Sequence, residues 1–289
     1  MLLQEKAGSH IPCPLLPALQ ACMLYCQALF VEEGKDVKYT KAELKALLTI
    51  EDFPRSASYD PVWMLENLMG PNALWLAEAL SQVMNLQADA RVLDLGCGKA
   101  TSSIFLAREF QLQIWATDLW VHSSDNWQRI CADNLQSLVF PIHAESHSLP
   151  FAHGFFDALL SFDAYHYFGT DDLYLGYVSQ FVRPGGLIGI VVPGVLLELN
   201  GEVPAHLASY WQWDWWSFHS PQWWQQHWEK TGLVDVEHAD AIPNGWKHWL
   251  KWLEVSLDAG FPSAPDEIEM LRADAGRTLG FTRLIARKK

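Results

Sequence analysis

A short segment in the middle of the chain combines two glycines with a carboxylate. Residues 92–100 read VLDLGCGKA. An apolar strand ends beside Asp94, the glycines Gly96 and Gly98 follow it, and a helix is predicted to begin at Thr101. Glycine lets the backbone approach a ligand closely, and the first amides of a helix suit a carboxylate. Asp94 can accept hydrogen bonds from an amino group. The segment therefore predicts a site for a ligand that carries an amino acid group.

A second carboxylate follows one strand and helix later. The next predicted strand ends in Thr117 and Asp118, and an acid at this point is placed to bind both hydroxyls of a ribose. The dinucleotide fingerprint G-x-G-x-x-G would require glycine where this chain has Thr101. The two acids therefore favour a nucleoside joined to an amino acid, and they disfavour a nicotinamide dehydrogenase.

Two helices are predicted before Arg91: one begins at the capping box of Thr40, and the other extends from Asn72 to Leu86. From Arg91 onward, strands and helices alternate. The strands are predicted at 91–95, 112–117, 138–142, 156–162, 187–192, 234–239 and 280–287, and the helices between them at 101–110, 126–134, 171–181 and 245–272. The alternation predicts an α/β fold with a Rossmann-like, doubly wound, mostly parallel seven-stranded sheet. Ligands of such sheets bind beyond the carboxyl ends of the strands.

The order of these motifs resembles that of the class I S-adenosylmethionine-dependent methyltransferases. Residues 93–98 resemble the first motif of that family, Asp118 falls on its ribose acid, and residues 144–151 (AESHSLPF) resemble its adenine-binding segment. Residues 156–161 resemble its fourth strand, and residues 182–186 the turn before its fifth. The nearest subgroup contains the type 11 and cyclopropane-fatty-acid-synthase-like small-molecule methyltransferases.

The resemblance is strong over about residues 85–195 and weak over 231–287, and it implies S-adenosylmethionine as the cofactor, with no metal. In the family an aspartate usually stands where this chain has Glu145, and it binds the adenine amino group. The cofactor-binding residues that the resemblance implies are Asp94, Gly96, Cys97, Gly98, Asp118, Leu119, Glu145, Ser146 and Asp163.

Candidate catalytic residues follow the fourth strand, at Asp163, Tyr165 and His166. Methyl transfer from a sulfonium is an in-line displacement that needs alignment and the exclusion of water. Some acceptors also need a base, and a histidine can take a proton near neutral pH. The alternative for His166 is a half-buried histidine that only packs beside two tyrosines.

Ten of the fifteen tryptophans lie between residues 211 and 252. We expect a Trp-rich helical cap at about 195–230, inserted after the fifth strand, and expect its part from 205 to 230 to be a mobile cover. Trp211, Trp215 and Trp216 are candidates for binding a cationic amine or a flat apolar substrate. Packing within the cap is the alternative, and helical spacing favours it for the pairs 224/228 and 249/252.

The first part of the chain differs in composition from the rest. We expect a helical extension over residues 1–70, followed by the methyltransferase domain over 71–289, and we expect residues 1–35 to be dispensable for cofactor binding. Cys13, Cys22 and Cys26, with His10 nearby, could be read as a metal site. Since no second Cys/His pair follows at ligand spacing, incidental thiols are favoured.

Charge and composition exclude several classes of partner. The formal net charge of −14 opposes binding to nucleic acid or to acidic lipid. No apolar run is long enough to span a bilayer, and the odd number of cysteines, five, favours reduced thiols in the cytoplasm. The sequence thus predicts a methyltransferase for a small acceptor, an amine or an apolar molecule. The alternatives are a cyclopropane-synthase-like lipid enzyme and a non-catalytic S-adenosylmethionine-binding protein.

Overall fold

The computed structural model describes residues 38–289. The expectations for the N-terminal cysteines and for the deletion of residues 1–35 therefore lie outside the described residues. Within the described part no group of three or more metal-ligating side chains is found, and no helix there is long and apolar enough to cross a membrane.

The core of the fold is one seven-stranded sheet with the order β3-β2-β1-β4-β5-β7-β6. The strands are β1 (Arg91–Leu95), β2 (Gln113–Asp118), β3 (Val139–His143), β4 (Phe156–Phe162), β5 (Val182–Val195), β6 (Val234–Ala241) and β7 (Leu279–Lys288). Only β7 runs antiparallel to its neighbours, β5 and β6. The predicted Rossmann-like, mostly parallel seven-stranded sheet is confirmed.

Nine α-helices occur in residues 38–289, and they lie before and between the strands. They are α1 (Lys41–Leu48), α2 (Pro61–Glu66), α3 (Ala73–Ser81), α4 (Thr101–Phe110), α5 (Ser123–Ala132), α6 (Tyr174–Val178), α7 (Pro221–Glu229), α8 (Gly245–Asp258) and α9 (Pro265–Asp274). The capping box is confirmed at the start of α1, where the backbone amide of Thr40 donates to the Glu43 carboxylate at 2.7 Å. The helix predicted over 171–181 is shorter, and a 3-10 turn follows it at Ser179–Phe181.

The helices before β1 share a hydrophobic core with the sheet. Leu44 of α1, Leu65 of α2 and Trp75 of α3 are buried in the same cluster as Val92 of β1 and Ile104 of α4. The expected division at residue 70 therefore does not coincide with a separation between hydrophobic cores. This contact places the end of α2 and the loop after it beside the first strand.

The opposite face of the sheet contains the two most buried tryptophans of α7. Trp224 and Trp228 are fully buried, and their rings lie 5.8 and 5.6 Å from the ring of Tyr165. The helical spacing had predicted packing for this pair. The expected cap at 195–230 therefore includes a helix whose tryptophans pack in the core, and the mobile cover expected at 205–230 stays a prediction.

We expect Trp228→Ala to lower the free energy of unfolding by about 3–5 kcal/mol, because it removes a large ring from a filled core. Trp213→Ala is the matched control, since this ring is 65% exposed, and its effect should stay within about 0.5 kcal/mol. Urea denaturation of both variants measures the difference. Equal effects would contradict the packing of α7 described here.

Candidate active site

The loop after β1 is held in a sharp turn by the end of β2. The amides of Gly96 and Cys97 both donate to the carbonyl of Thr117, at 2.9 and 3.0 Å. Gly96 and Gly98 have φ values of +75° and +53°, a region that favours glycine. A Cβ on Gly96 would lie 2.4 Å from the Cβ of Ala164, so the loop also packs closely against the chain after β4.

Asp94 is completely buried beneath this loop. Its Oδ2 accepts hydrogen bonds from the hydroxyls of Ser102 and Ser103 in the first turn of α4, at 2.7 and 2.6 Å. Its Oδ1 has no hydrogen-bond partner among residues 38–289. Burial raises the pKa of Asp94 to about 6, although the two serine hydroxyls oppose this shift. This oxygen has free acceptor capacity, and the predicted contact of Asp94 with an amino group of the ligand stays a prediction.

Asp118 binds three backbone amides from two loops. Its Oδ2 accepts from Gly98, and its Oδ1 accepts from Trp120 and Val121, each at 2.8 Å. Burial raises the pKa of this carboxyl, and the three amides act against that rise. Since a carboxylate offers about four acceptor positions, only about one remains for a ribose hydroxyl unless an amide bond is shared.

The segment predicted to bind adenine lies beyond β3 and is partly exposed. Glu145 accepts hydrogen bonds from the amide of His147 at 2.8 Å and from the hydroxyl of Ser146 at 3.0 Å. Burial acts to raise the pKa of the Glu145 carboxyl, but the His147 imidazole, 2.8 Å from Oε1, together with the His147 amide and the Ser146 hydroxyl, lowers it overall. Leu119 is 42% exposed, and its carbonyl oxygen lies 2.8 Å from Nε2 of His143. The roles of Glu145, Ser146 and Leu119 toward the cofactor stay predictions.

The three candidates after β4 point in different directions, because Tyr165–Tyr167 forms a 3-10 turn. Asp163 has a φ of +54°, and its amide donates to the carbonyl of Val191 at 2.8 Å. Tyr165 is fully buried among the rings of Trp224, Trp228 and Tyr174. Its hydroxyl is buried in this core without a hydrogen-bond partner among residues 38–289, and its catalytic role stays a prediction.

His166 is also buried, but it faces the Trp-rich segment instead of the core around α7. Its ring lies 5.6 Å from Phe218, and its Nδ1 has no hydrogen-bond partner in the described part of the chain. Burial lowers the pKa of His166 to about 3, so the imidazole is uncharged at neutral pH. This burial does not favour the protonation of His166 near neutral pH, and its catalytic role stays a prediction.

The three tryptophans that we expected at the substrate form a cluster above Phe218. Trp211 and Trp215 are half-buried and 5.8 Å apart, and the ring of Trp215 stacks on Phe218 at 5.7 Å. Trp216 packs against Trp211 and is 46% exposed. Phe218, which the sequence analysis did not single out, is the ring that connects this cluster to His166. A substrate role for the three tryptophans stays a prediction.

The loop after α2 also reaches the site, which the sequence analysis missed. A Cβ on Gly98 would lie 3.1 Å from the sulfur of Met69, and a Cβ on Gly70 would lie 2.6 Å from a carboxylate oxygen of Asp163. The indole nitrogen of Trp252 in α8 donates to the carbonyl of Gly70 at 2.9 Å. The loop thus spans from the glycine turn to the end of β4.

These residues fit S-adenosylmethionine. Asp94 offers an unpartnered buried oxygen for the amino group, and Asp118 keeps acceptor capacity for the ribose. The left-handed φ values of Gly96 and Gly98 let the chain turn sharply after β1, where Ala164 and Met69 pack closely against the two glycines. All three features lie at the carboxyl ends of β1 and β2, where ligands of open α/β sheets bind.

We expect Asp94→Asn to stabilise the protein at high pH while it weakens cofactor binding. Ionising a buried carboxyl whose pKa is raised destabilises the folded protein. The loss develops as the pH rises from 3.8, the ordinary pKa of an aspartate, to about 6, the pKa of Asp94 in the folded protein. Since Asn carries no charge, the variant should be roughly 2–3 kcal/mol more stable than the wild type at pH 8. At pH 4 the gain should disappear. Thermal unfolding at both pH values measures this effect, and a gain that does not change with pH would contradict it.

We expect Asp118→Ala to weaken the binding of S-adenosylhomocysteine by about 1.5–3 kcal/mol, because it removes charge-assisted hydrogen bonds. Isothermal titration calorimetry measures the change. Asp125→Ala is the matched control, since it removes the same charge from an exposed position at the start of α5. Normal affinity in a folded Asp118→Ala variant would show that this acid does not bind the ribose.

Comparisons with known proteins agree with this geometry. Residues 92–186 match the family model of a methyltransferase domain. A fatty-acid O-methyltransferase from Mycolicibacterium smegmatis is 32% identical over 105 residues, which are 35% of this chain and 37% of that protein. The match thus spans little more than a third of the length of this curated relative.

Solved structures share the fold at low sequence identity. Phosphoethanolamine N-methyltransferase 2 from Haemonchus contortus, in complex with S-adenosyl-L-methionine, superposes with a TM-score of 0.62 at 18% identity, covering 90% of this chain and 61% of that one. Geranyl diphosphate C-methyltransferase from Streptomyces coelicolor A3(2), in complex with S-adenosyl-L-homocysteine, superposes with a TM-score of 0.59 at 15% identity, covering 74% and 79%. Residues 92–186 therefore match a methyltransferase domain, and the chain shares the fold of S-adenosylmethionine-dependent methyltransferases.

Proposed function

We propose that the chain transfers a methyl group from S-adenosylmethionine to an oxygen of a small apolar acceptor. The observation that carries this proposal is the position of His166, which lies uncharged and buried between the end of β4 and the ring of Phe218. The bound sulfonium supplies an electrophilic methyl group. The residues of the chain have to bind the cofactor, orient the acceptor and exclude water.

The surroundings of His166 favour an apolar acceptor. Its ring contacts Tyr167 and Phe218, and Phe218 stacks on Trp215. Because the neutral imidazole has one donor and one acceptor nitrogen, it can bind either a hydroxyl or a carboxyl group. An O-methyltransferase of fatty acids is also among the relatives, so an apolar carboxylic acid is the first acceptor to test.

His166 positions the acceptor oxygen in this proposal and need not be a strong base. A carboxylate attacks without losing a proton. A hydroxyl becomes strongly acidic once its oxygen bonds to the methyl group, so that even a weakly basic imidazole accepts its proton. Asp163, at the end of β4, borders the same site through Gly70. The cytoplasmic location stays a prediction from the cysteines.

The assay incubates the full chain with S-adenosylmethionine labelled in the methyl group. It offers fatty acids of graded length, the matching alcohols and the matching amines. We expect label in the acids or alcohols and little in the amines. Label in phospholipid acyl chains would favour a cyclopropane-synthase-like enzyme, and cofactor binding without transfer to any acceptor would favour a non-catalytic binding protein.

We expect His166→Phe to lower kcat/KM for the acceptor by about 10- to 100-fold, because it removes one hydrogen bond from a buried site. His166→Gln, which keeps a hydrogen-bonding group, should retain part of the activity. Since the pKa of His166 lies near 3, this residue should not titrate between pH 5 and 8. The wild type and the His166→Phe variant should therefore have pH profiles of the same shape in this range. Calorimetry should find unchanged affinity for S-adenosylhomocysteine, and a loss of affinity would contradict the assignment to the acceptor.

A further inference from the structure

A buried amide side chain on α5 holds the cofactor loop from outside the motif. We propose that Asn126 is a positioning residue for this loop, and that Arg129 couples it to the segment at residues 66–70. The inference rests on the proposed binding of S-adenosylmethionine at the glycine turn. It concerns residues that none of the motifs contains.

Asn126 is 1% exposed and contacts the turn directly. Its Nδ2 donates to the carbonyl of Gly98 at 2.8 Å and lies 3.8 Å from the sulfur of Cys97. The amide of Gly98 donates to Asp118 at 2.8 Å. Both sides of Gly98 are therefore held, its N–H by the proposed ribose acid and its carbonyl by Asn126. Losing either bond leaves a buried polar group without its partner and frees the turn to move.

Arg129 continues the chain of hydrogen bonds away from the turn. It lies one helical turn after Asn126 in α5, so both side chains share one face of the helix. Its Nη1 donates to Oδ1 of Asn126 at 3.1 Å, and its Nε donates to Oδ1 of Asn67 at 3.0 Å. A single guanidinium thus connects a residue that holds the cofactor loop with a residue of the segment that covers it.

The segment at residues 66–70 has further contacts on both sides of the site. The ammonium of Lys99 donates to the carbonyl of Glu66 at 3.0 Å. Met69 borders Gly98, and Gly70 borders Asp163 while its carbonyl accepts from Trp252. The placement of this segment and the shape of the glycine turn therefore depend on the same contacts. A cofactor that orders one should also order the other.

The first experiment uses Asn126→Asp, which keeps the shape and the acceptor for Arg129 but removes the donor to Gly98. We expect the Kd for S-adenosylhomocysteine and the KM for S-adenosylmethionine to rise about 10-fold, with kcat within twofold of the wild type. Asn126→Ala should behave in the same way, and Asn126→Gln, which restores a donor, should recover part of the affinity.

Glu78→Gln is the matched control for a purely structural loss. Glu78 is buried and accepts hydrogen bonds from Ser56 and from the amide of Arg55, away from the turn. Its substitution should lower Tm and leave the Kd unchanged. If Asn126→Asp also lowers Tm without changing the Kd or the KM, the positioning role is refuted.

The second experiment is a double-mutant cycle of Asn67→Ala with Asn126→Ala, read by the Kd for S-adenosylhomocysteine. We expect Asn67→Ala to raise the Kd about threefold in the wild type and to have no further effect in the Asn126→Ala background. Fold-changes that simply multiply would refute the coupling. A wild-type chain that binds neither S-adenosylmethionine nor S-adenosylhomocysteine would refute the proposed function itself, whereas wild-type binding with unchanged variants would refute only this inference.

Discussion

The site depends on the side chain of Asp118, which brings three backbone amides of two separate loops to one point. It accepts from Gly98 after β1 and from Trp120 and Val121 after β2. Because this carboxylate is buried, water cannot easily replace it as the acceptor for these amides. Losing these hydrogen bonds would therefore carry a large free-energy cost. The glycine turn and the start of the next loop are therefore fixed relative to each other before any ligand binds. The same group that we propose for the ribose thus also shapes the turn on which the rest of the cofactor would lie.

Local sequence was sufficient to predict the sheet and this edge of the site. The apolar strand, the two glycines and the acid at the end of the next strand lie within 27 residues, and each feature follows from the chain direction and from glycine geometry. The capping box at Thr40 and the packing of Trp224 and Trp228 were predictable for the same reason. Each depends on spacing within one helix.

The remaining features depend on contacts between distant segments, which one sequence does not reveal. Met69 and Asn126 contact Gly98 although they lie 29 residues before it and 28 residues after it in the sequence. The packing of the helices around β1 brings them to the glycine turn. The different surroundings of Tyr165 and His166 have another cause. A 3-10 turn directs adjacent residues to different sides, so Tyr165 enters the core while His166 faces Phe218. No pattern of residue types distinguishes the two.

The buried acids also explain why a cationic cofactor suits this turn. Burial disfavours the ionised form of both Asp94 and Asp118, and the nearby charge of Asp118 adds to this effect at Asp94. A ligand with an ammonium and a sulfonium group reverses both effects, since opposite charge nearby favours the ionised carboxyls. Binding should then draw the pKa of Asp94 down from about 6, and affinity should fall as the pH drops below that value. Burying these charges destabilises the protein without its cofactor. Binding of the cofactor relieves this destabilisation, and the relief contributes to the free energy of binding.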